Sequence, residues 1–332
     1  MSLKAIAKAL GISITTVSRA LNGYSDVSEQ TRARIEAEAQ KRGYRPNTMA
    51  RRLKMGKIDA VGLVFPANAT PLNNDLFIAM VDAVSHELAK DDIDLLLIAD
   101  DERNDKHSYM RLVQSRRIDA LIVAHTLNDD PRLQQLQAIN FPFLALGRSQ
   151  LPQPYAWFDF DNYAGTYQAT RYLIEKGHQR IAMLSKHSPQ SFISQRRQGY
   201  LDALKESGLS DTLLHILPPT RRAGYQLTQQ LLQQSPAPSA ILTDSSIHGD
   251  GCAMALSQHH RLTGDDAIAL VIYDGLPEDS IVEEDVAAIR QSATSEQVGQ
   301  QIADLVRRLI IGEDKSQLQV LWQPRFSPGQ TA

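Results

Sequence analysis

The sequence holds one thiol, Cys252, in 332 residues. One thiol makes neither an internal disulfide nor a thiolate metal cage, a usage that suits a reducing cytoplasm. No apolar run reaches the length that spans a bilayer. The chain opens Met1-Ser2-Leu3-Lys4 and enters a helical pattern directly, without the apolar stretch of a signal peptide. A soluble cytoplasmic protein with no membrane partner is expected. Enzyme signatures are also missing. There is no Gly-x-Ser-x-Gly elbow. No Gly-x-Gly-x-x-Gly follows the first strand-like run, and no Gly-Lys-Ser/Thr phosphate loop occurs. His259-His260 is a poor metal site, because adjacent residues on a helix point apart. We therefore expect no enzyme: no catalytic residue, no cofactor and no metal.

The charge that is present is unevenly placed. Residues 1–57 carry twelve Lys/Arg against four Asp/Glu, and the remainder carries 23 against 34. A small basic head on a large acidic body implies that only the head meets a polyanion. The length suits two or three domains. A hydrophobic share of 42% allows a sizeable core for the larger part.

The head reads as helical. Leu3 to Leu10 places Leu3, Ile6, Ala7 and Leu10 on one face, and Gly11 breaks it. Ser13 is a good N-cap for a second helix, Ile14 to Leu21, which Asn22-Gly23 ends. Val17 and Leu21 can face the core. Ser28 caps a third helix that runs to Arg42, with Ile35 and Ala39 inward and Gly43 closing it. Three short helices with a tight turn between the first two make a helix-turn-helix unit. The second helix of such a unit enters the major groove N-terminus first, which turns Ile14, Thr15 and Arg19 outward. Arg19 can donate two hydrogen bonds to guanine O6 and N7, and Ile14 can touch a thymine methyl. Ser13, Thr16 and Ser18 are short donors suited to phosphates. A three-helix protein-interaction module is the competing reading of these residues.

The run Ala5-Ile6-Ala7-Lys8-Ala9-Leu10-Gly11-Ile12-Ser13, followed by Thr16-Val17-Ser18-Arg19-Ala20-Leu21-Asn22-Gly23, resembles the head of LacI/GalR-family transcription regulators. The resemblance continues through Val27-Ser28, Thr31-Arg32 and Gly43-Tyr44-Arg45-Pro46-Asn47. It implies a DNA-binding domain over 1–45 with contacts from Ser13, Ile14, Thr15, Thr16, Ser18, Arg19 and Asn22. Residues 46–57 read as a short hinge helix, with Pro46 barring earlier entry, Asn47 as cap and Gly56 after its end. About ten basic residues make a marginal helix alone. The resemblance implies that it forms on operator DNA beside its dimer mate. Ala50 would allow close approach, Arg51, Arg52 and Lys54 would contact backbone, and Leu53 would be a wedge that kinks the duplex. An ordinary interdomain linker is the alternative.

From 58 to 332 strand-like and helix-like stretches alternate. Strands are expected over Ala60–Phe65, Ile93–Ile98, Ala120–Val123, Phe143–Leu146, Arg180–Leu184, Ala240–Leu242 and Ala267–Ile272. Helices are expected over Asp75–Lys90, Lys106–Arg116, Gly165–Lys176, Gln195–Ser207 and Gly224–Gln234. Repeated βα units in two series predict two doubly wound parallel-sheet lobes. The landmarks Gly147-Arg148, Asp161-Asn162, Gly177 to Ile181, Arg196 with Gly199-Tyr200, Tyr273-Asp274 and Ile289-Arg290-Gln291 extend the resemblance over this body. It looks like a periplasmic sugar-binding fold, with a first lobe at roughly 58–158 plus 291–321.

Ligands in such sheets sit beyond the strand carboxyl ends. The resemblance implies effector contacts from Asn74, Phe77, Arg148, Arg196, Ser245 and Asp274. Arg196, opening a helix, would grip sugar hydroxyls with its rigid fork, with Arg197 the alternative on residue type alone. Asp274 would accept hydroxyl protons. Trp157 and Phe158 suit either sugar stacking or core packing. Asp75 and Leu76 depart from the family's Asn-Pro-Phe-Phe pattern. Ser245-Ser246 stands where the family commonly has Asn-Asp, so Asp244, Ser245 or His248 would have to substitute. The implied function is a repressor of carbohydrate genes, with head and hinge most like regulators of α-glucoside use. Its partners would be pseudo-palindromic operator DNA, a small sugar effector and a second copy in a homodimer. No heptad tail suggests a coiled-coil tetramer. A sugar-binding protein without a DNA role is the alternative function, but it leaves the basic head unexplained.

Overall fold

The computed structural model describes residues 2–21, 24, 26–44, 58–67, 75–100, 107–210 and 212–332. The hinge expected at 46–57, and with it Asn47, Ala50 and Leu53, lies outside the described residues, as do Asn22 and Asn74.

The head contains α1 (Leu3–Leu10), α2 (Ile14–Leu21) and α3 (Glu29–Lys41). Gly11 ends α1 in the left-handed region at φ +67°, which a side chain would disfavour. Ile6, Ala7, Val17, Ala20, Val27, Ile35 and Ala39 make one small buried cluster. Ala20 is buried where Leu21 was expected, and Leu21 only packs against the cluster's edge. Ser28 caps α3 by accepting from the Thr31 amide at 3.3 Å.

The remaining residues build two lobes. Lobe 1 begins with β1 (Ala60–Pro66), α4 (Asp75–Ala89), β2 (Asp94–Asp100), α5 (Ser108–Gln114), β3 (Ala120–Val123), α6 (Pro131–Ala138), β4 (Phe143–Leu146) and β5 (Ala156–Phe160). Lobe 2 holds α7 (Asn162–Glu175), β6 (Ile181–Lys186), α8 (Ser191–Glu206), β7 (Leu214–Leu217), α9 (Arg221–Leu232), β8 (Ala240–Thr243), α10 (Ser246–Gln258), β9 (Ala269–Tyr273) and β10 (Ala287–Gln291). The chain then returns to lobe 1 for α11 (Ser295–Ile310) and β11 (Gln319–Trp322), and reaches lobe 2 again as β12 (Pro324–Ser327).

Among the described residues the sheets run β11-β5-β4-β3-β1-β2 and β12-β10-β9-β8-β6-β7. Every described neighbour pair is parallel except β10 with β12. The central strands are buried on both faces, so they read as apolar runs: β3 and β8 are buried at every residue. In lobe 1, α4 and α11 seal one side of the sheet through Val84, Leu88, Ile302, Leu305 and Val306. In lobe 2, α9 and α10 approach closely because both carry glycine at the contact. A side chain at Gly224 would strike the His248 carbonyl, and one at Gly251 the Arg221 carbonyl.

The chain crosses between lobes near Asp161, Ser292 and Gln323, and the crossings are tied together. The Asp161 amide donates to the Trp322 carbonyl at 2.8 Å. Gln323 Nε2 donates to Asp161 Oδ2 at 3.1 Å, and Ser292 Oγ donates to the Gln323 carbonyl at 2.8 Å.

Several expected elements shift. The helix carrying Arg196 starts at Ser191, so Arg196 lies in its second turn rather than opening it. His259 caps the C-terminus of α10, and His260 lies beyond at φ +55°, so that pair is not helical. Phe158 belongs to the lobe 1 core and packs edge-on against Trp322 at 5.0 Å.

Candidate functional site

In the head, Ser13 Oγ accepts from the Thr16 amide at 3.0 Å and lies 2.8 Å from Thr16 Oγ1. Both side chains thus serve the start of α2. Val17 and Ala20 face the cluster, which leaves Ile14, Thr15 and Arg19 exposed, with Ser18 half-buried. Ile14 is an exposed β-branched side chain at 46% accessibility on an otherwise polar face. The Arg19 fork is held by Asp26: Nε donates to Oδ1 at 3.1 Å and Nη2 lies 2.5 Å from Oδ2. The guanidinium also lies 5.1 Å from the centre of the Tyr24 ring. Sequence reasoning passed over Asp26 and Tyr24, whose signal was only their short distance along the chain from Arg19.

In the body, the candidate effector residues gather beyond the carboxyl ends of the strands, where a polar chain joins the two lobes. Arg148 Nε donates to Asp159 Oδ2 at 2.9 Å. Asn162 Nδ2 lies 3.3 Å from Asp159 Oδ1, and Arg196 Nε donates to Asn162 Oδ1 at 2.9 Å. Arg196 Nη2 sits 3.8 Å from Asp274 Oδ2, and its Nη1 donates to the Asp244 carbonyl, beside Ser245, at 2.6 Å. Arg148, Arg196, Ser245 and Asp274 are therefore brought together. Phe77 is placed apart from that chain, with its ring 5.3 Å from His125.

Arg196 is buried and stacked. Its guanidinium lies 3.3 Å from the Tyr273 ring centre and 4.8 Å from that of Phe192. Arg197 instead donates from Nε to Ser185 Oγ at 2.6 Å and from Nη2 to the Lys186 carbonyl. Asp274 takes a left-handed backbone at φ +70°, which turns it out of β9. The buried atoms Asp274 Oδ1, Ser245 Oγ and Tyr273 Oη make no hydrogen bond among the described residues. Asp244 and His248 are partly used within the fold, while Asp244 Oδ1 and His248 Nδ1 make no hydrogen bond among the described residues. Asp244 Oδ2 accepts from Ser185 Oγ at 2.6 Å and from the Lys186 amide at 2.8 Å. His248 Nε2 lies 2.7 Å from the Pro218 carbonyl.

One rim of the crevice is closed by direct contacts between lobes. The Ser191 amide donates to the Thr126 carbonyl at 2.9 Å. Gln190 Nε2 lies 3.0 Å from His125 Nδ1, and Asn128 Nδ2 donates to Ser194 Oγ at 3.0 Å. Arg148 Nη2 donates to Gln195 Oε1 at 3.1 Å. Burial, then the cations Lys186 and Arg132, push the His125 imidazole down to about 4, so it is neutral near pH 7. Burial raises the Asp159 carboxyl and lowers the Lys186 ammonium. Lys186, His125, Gln190 and Phe192 were not singled out from the sequence. The rule that ligands gather at strand carboxyl ends would have pointed to Lys186, the last residue of β6.

A helix-turn-helix head and a two-lobed crevice body in one chain define a DNA-binding regulator with a small-molecule domain. Residues 2–47 match the family described as bacterial regulatory proteins, lacI family, and residues 58–328 match periplasmic binding proteins and the sugar binding domain of the LacI family. The chain belongs to the LacI family of transcriptional regulators. It is 60% identical to the HTH-type transcriptional regulator RafR of Escherichia coli, over 100% of this chain and 98% of that protein. The crystal structure of a transcriptional regulator from Yersinia pestis biovar Microtus str. 91001 is 47% identical, with a TM-score of 0.79 over 83% of this chain and 98% of that one. A complex of the transcriptional regulator CelR with cellobiose is 26% identical, with a TM-score of 0.70 over the whole of both chains. No described helix is long and apolar enough to cross a membrane.

Proposed function

We propose that the chain is a dimeric repressor of carbohydrate-utilisation genes whose crevice binds a sugar effector. Residues 1–45 act as the DNA-reading domain, 46–57 as the hinge, and 58–332 as the effector and dimerisation domain. Each head reads one half-site of a pseudo-palindromic operator through Ile14, Thr15 and Arg19, with Ser13, Thr16, Ser18 and Asn22 placing it on the backbone. The hinge pair, with Asn47 as cap, Ala50 at the helix contact and Leu53 as wedge, bends the operator centre. In the free head Asp26 holds the donors that guanine would take, so reading a base exchanges one planar acceptor for another. Arg19→Ala should weaken operator binding by about 1–3 kcal/mol and relax discrimination at one base. Equal discrimination at every operator position would remove Arg19 from the reading.

One observation carries the effector assignment. Arg196 is a buried guanidinium clamped between two aromatic rings, beside an Asp274 carboxylate oxygen that no described donor satisfies. Vicinal hydroxyls supply an acceptor for the remaining Nη2 end of the fork and a donor for the carboxylate. Arg148 and Ser245 complete the contact set, with Asn74 and Phe77 approaching from lobe 1. The CelR-cellobiose complex among its structural relatives supports a disaccharide-sized ligand. Binding shifts the lobe angle at the three tied crossings and so the spacing of the hinges. A coupling of ~1–3 kcal/mol suffices for a switch. The test is a thermal-shift screen of mono- and disaccharides and their phosphates, repeated with Arg196→Ala. A stabilising sugar that the variant no longer binds supports the reading; a screen without any stabilising sugar rejects it.

A further inference from the structure

Lys186 ends β6, and β6 lies beside β8 with Leu184 opposite Thr243. The parallel register therefore brings Lys186 next to Asp244 and Ser245 at the carboxyl ends of both strands. Its backbone is pinned on both sides: the amide donates to Asp244 Oδ2 at 2.8 Å, and the carbonyl accepts from Arg197. The side chain is left to act. Its ammonium lies 5.5 Å from the centre of the Phe192 ring, the ring that also flanks Arg196.

Among the described residues this ammonium has no hydrogen bond and no ion pair. The nearby acids face other groups, though each keeps its Oδ1 without a hydrogen bond among the described residues. Asp244 gives one oxygen to Ser185 and to the Lys186 amide, and turns the other toward His248 Nδ1 at 3.8 Å. Asp274 turns Oδ2 toward Arg196. A half-buried ammonium without a protein acceptor is left to water, which a ligand hydroxyl can replace. His125 of lobe 1 meets lobe 2 through Gln190, and the Lys186 charge disfavours its protonation.

We propose that Lys186 is a donor from lobe 2 to the effector, and that it acts beside Asp274, whose carboxylate sets the preference for a neutral, hydroxyl-rich ligand over a phosphorylated one. This rests on the reading of the crevice as the effector site. The sign of the ligand follows from what surrounds the ammonium. Asp274 Oδ1 and Ser245 Oγ lack hydrogen-bond partners within the described structure. A hydroxyl can accept from Lys186 and donate to Asp274 Oδ1 at once. A phosphate would place its own charge against that carboxylate oxygen, without a proton to offer it at neutral pH.

The test uses the full chain and calorimetric titration with glucose, galactose, maltose, cellobiose, sucrose, lactose and glucose 6-phosphate. For a neutral sugar that binds the wild type, Lys186→Met should weaken binding roughly 10- to 100-fold, as for loss of a charge-assisted hydrogen bond. The unliganded melting temperature should hold or rise, which removal of a structural residue would not produce. Lys186→Gln, which keeps a neutral donor, should fall between wild type and Lys186→Met, and it decides the question if Lys186→Met does not fold. Unchanged affinity in these variants overturns the role of Lys186 while leaving the effector crevice intact. Tighter binding of glucose 6-phosphate than of glucose overturns the neutral-ligand assignment. No binding by the wild type to any of these sugars overturns this inference together with the effector reading.

Discussion

Lobe 1 and lobe 2 share one strand order, with a returning C-terminal strand at the same edge of each sheet, yet they present different faces to the crevice. Lobe 2 offers a preassembled set: Arg196 stacked between Phe192 and Tyr273, Asp274 turned out of its strand, and Lys186 pinned through its backbone. Among the described residues, lobe 1 presents Arg148, which is already paired with Asp159. Its remaining contribution is a rim, where His125, Thr126 and Asn128 meet the start of α8. Among the described residues, a sheet topology used twice thus carries a preassembled polar cluster in one copy and an interlobe edge in the other.

The comparison breaks most readily at Arg196. Arg196→Ala should abolish detectable sugar binding and lower stability by about 3 kcal/mol, because it strands Asp274 and empties a stacked site. Arg196→Lys should not restore binding, since an ammonium lacks the planar fork that stacks and donates together. Full binding by the alanine variant would take the sugar contacts away from this cluster.

His125 probes the interlobe edge through pH. Its folded value of about 4 lies below the ordinary 6.5. The unfolded chain therefore binds the extra proton between those values, and native stability falls as pH drops from about 6.5 toward 4. The loss should be at most about 3 kcal/mol. Urea unfolding of His125→Gln across that window should give a flatter profile than wild type. Parallel profiles would show that His125 is solvated like an ordinary surface histidine.

Asp274→Asn tests the polar cluster more gently. Asparagine tolerates the left-handed backbone, so the melting temperature should move little. Sugar affinity should fall by about 1.5–3 kcal/mol, the range of a hydrogen bond to a charged group. A variant that binds as wild type would show that the carboxylate accepts nothing from the ligand. The smallest effect is expected from Asn128→Ala, which removes one exposed bond to Ser194. Stability should change by about 0.5 kcal/mol and affinity by no more than a few-fold. A larger drop would make the rim an active clamp.

The sequence reveals most where a residue works through local pattern. The head helices announce themselves through Gly11, Ser13 and Ser28, all of which end or cap helices as their types suggest. Strands β3 and β4 coincide with their apolar runs because both faces are covered. Helix α10 was overlooked because it is buried nearly all round. His248, Gly249, Asp250, Gly251, Cys252 and Ala253 are consecutive buried residues, which erases the polar face that marks a helix. Strand β7 was overlooked as a short, half-exposed edge. In the crevice, Arg196 and Asp274 were legible through their landmarks. The chain Arg148–Asp159–Asn162–Arg196 was not, because it joins residues from both lobes that only tertiary packing brings together.

The returning C-terminal segment also bears on how the chain is made. Lobe 1 is started by residue 60 but receives α11 and β11 only after most of lobe 2 has been synthesised. At roughly 5–20 residues per second, the growing chain spends on the order of 10–30 s with a lobe 1 sheet whose apolar face still awaits Ile302, Leu305 and Val306. Nascent molecules of this regulator should therefore depend on holding chaperones during that interval, and a frameshift anywhere in lobe 2 should leave a sticky fragment rather than a usable half.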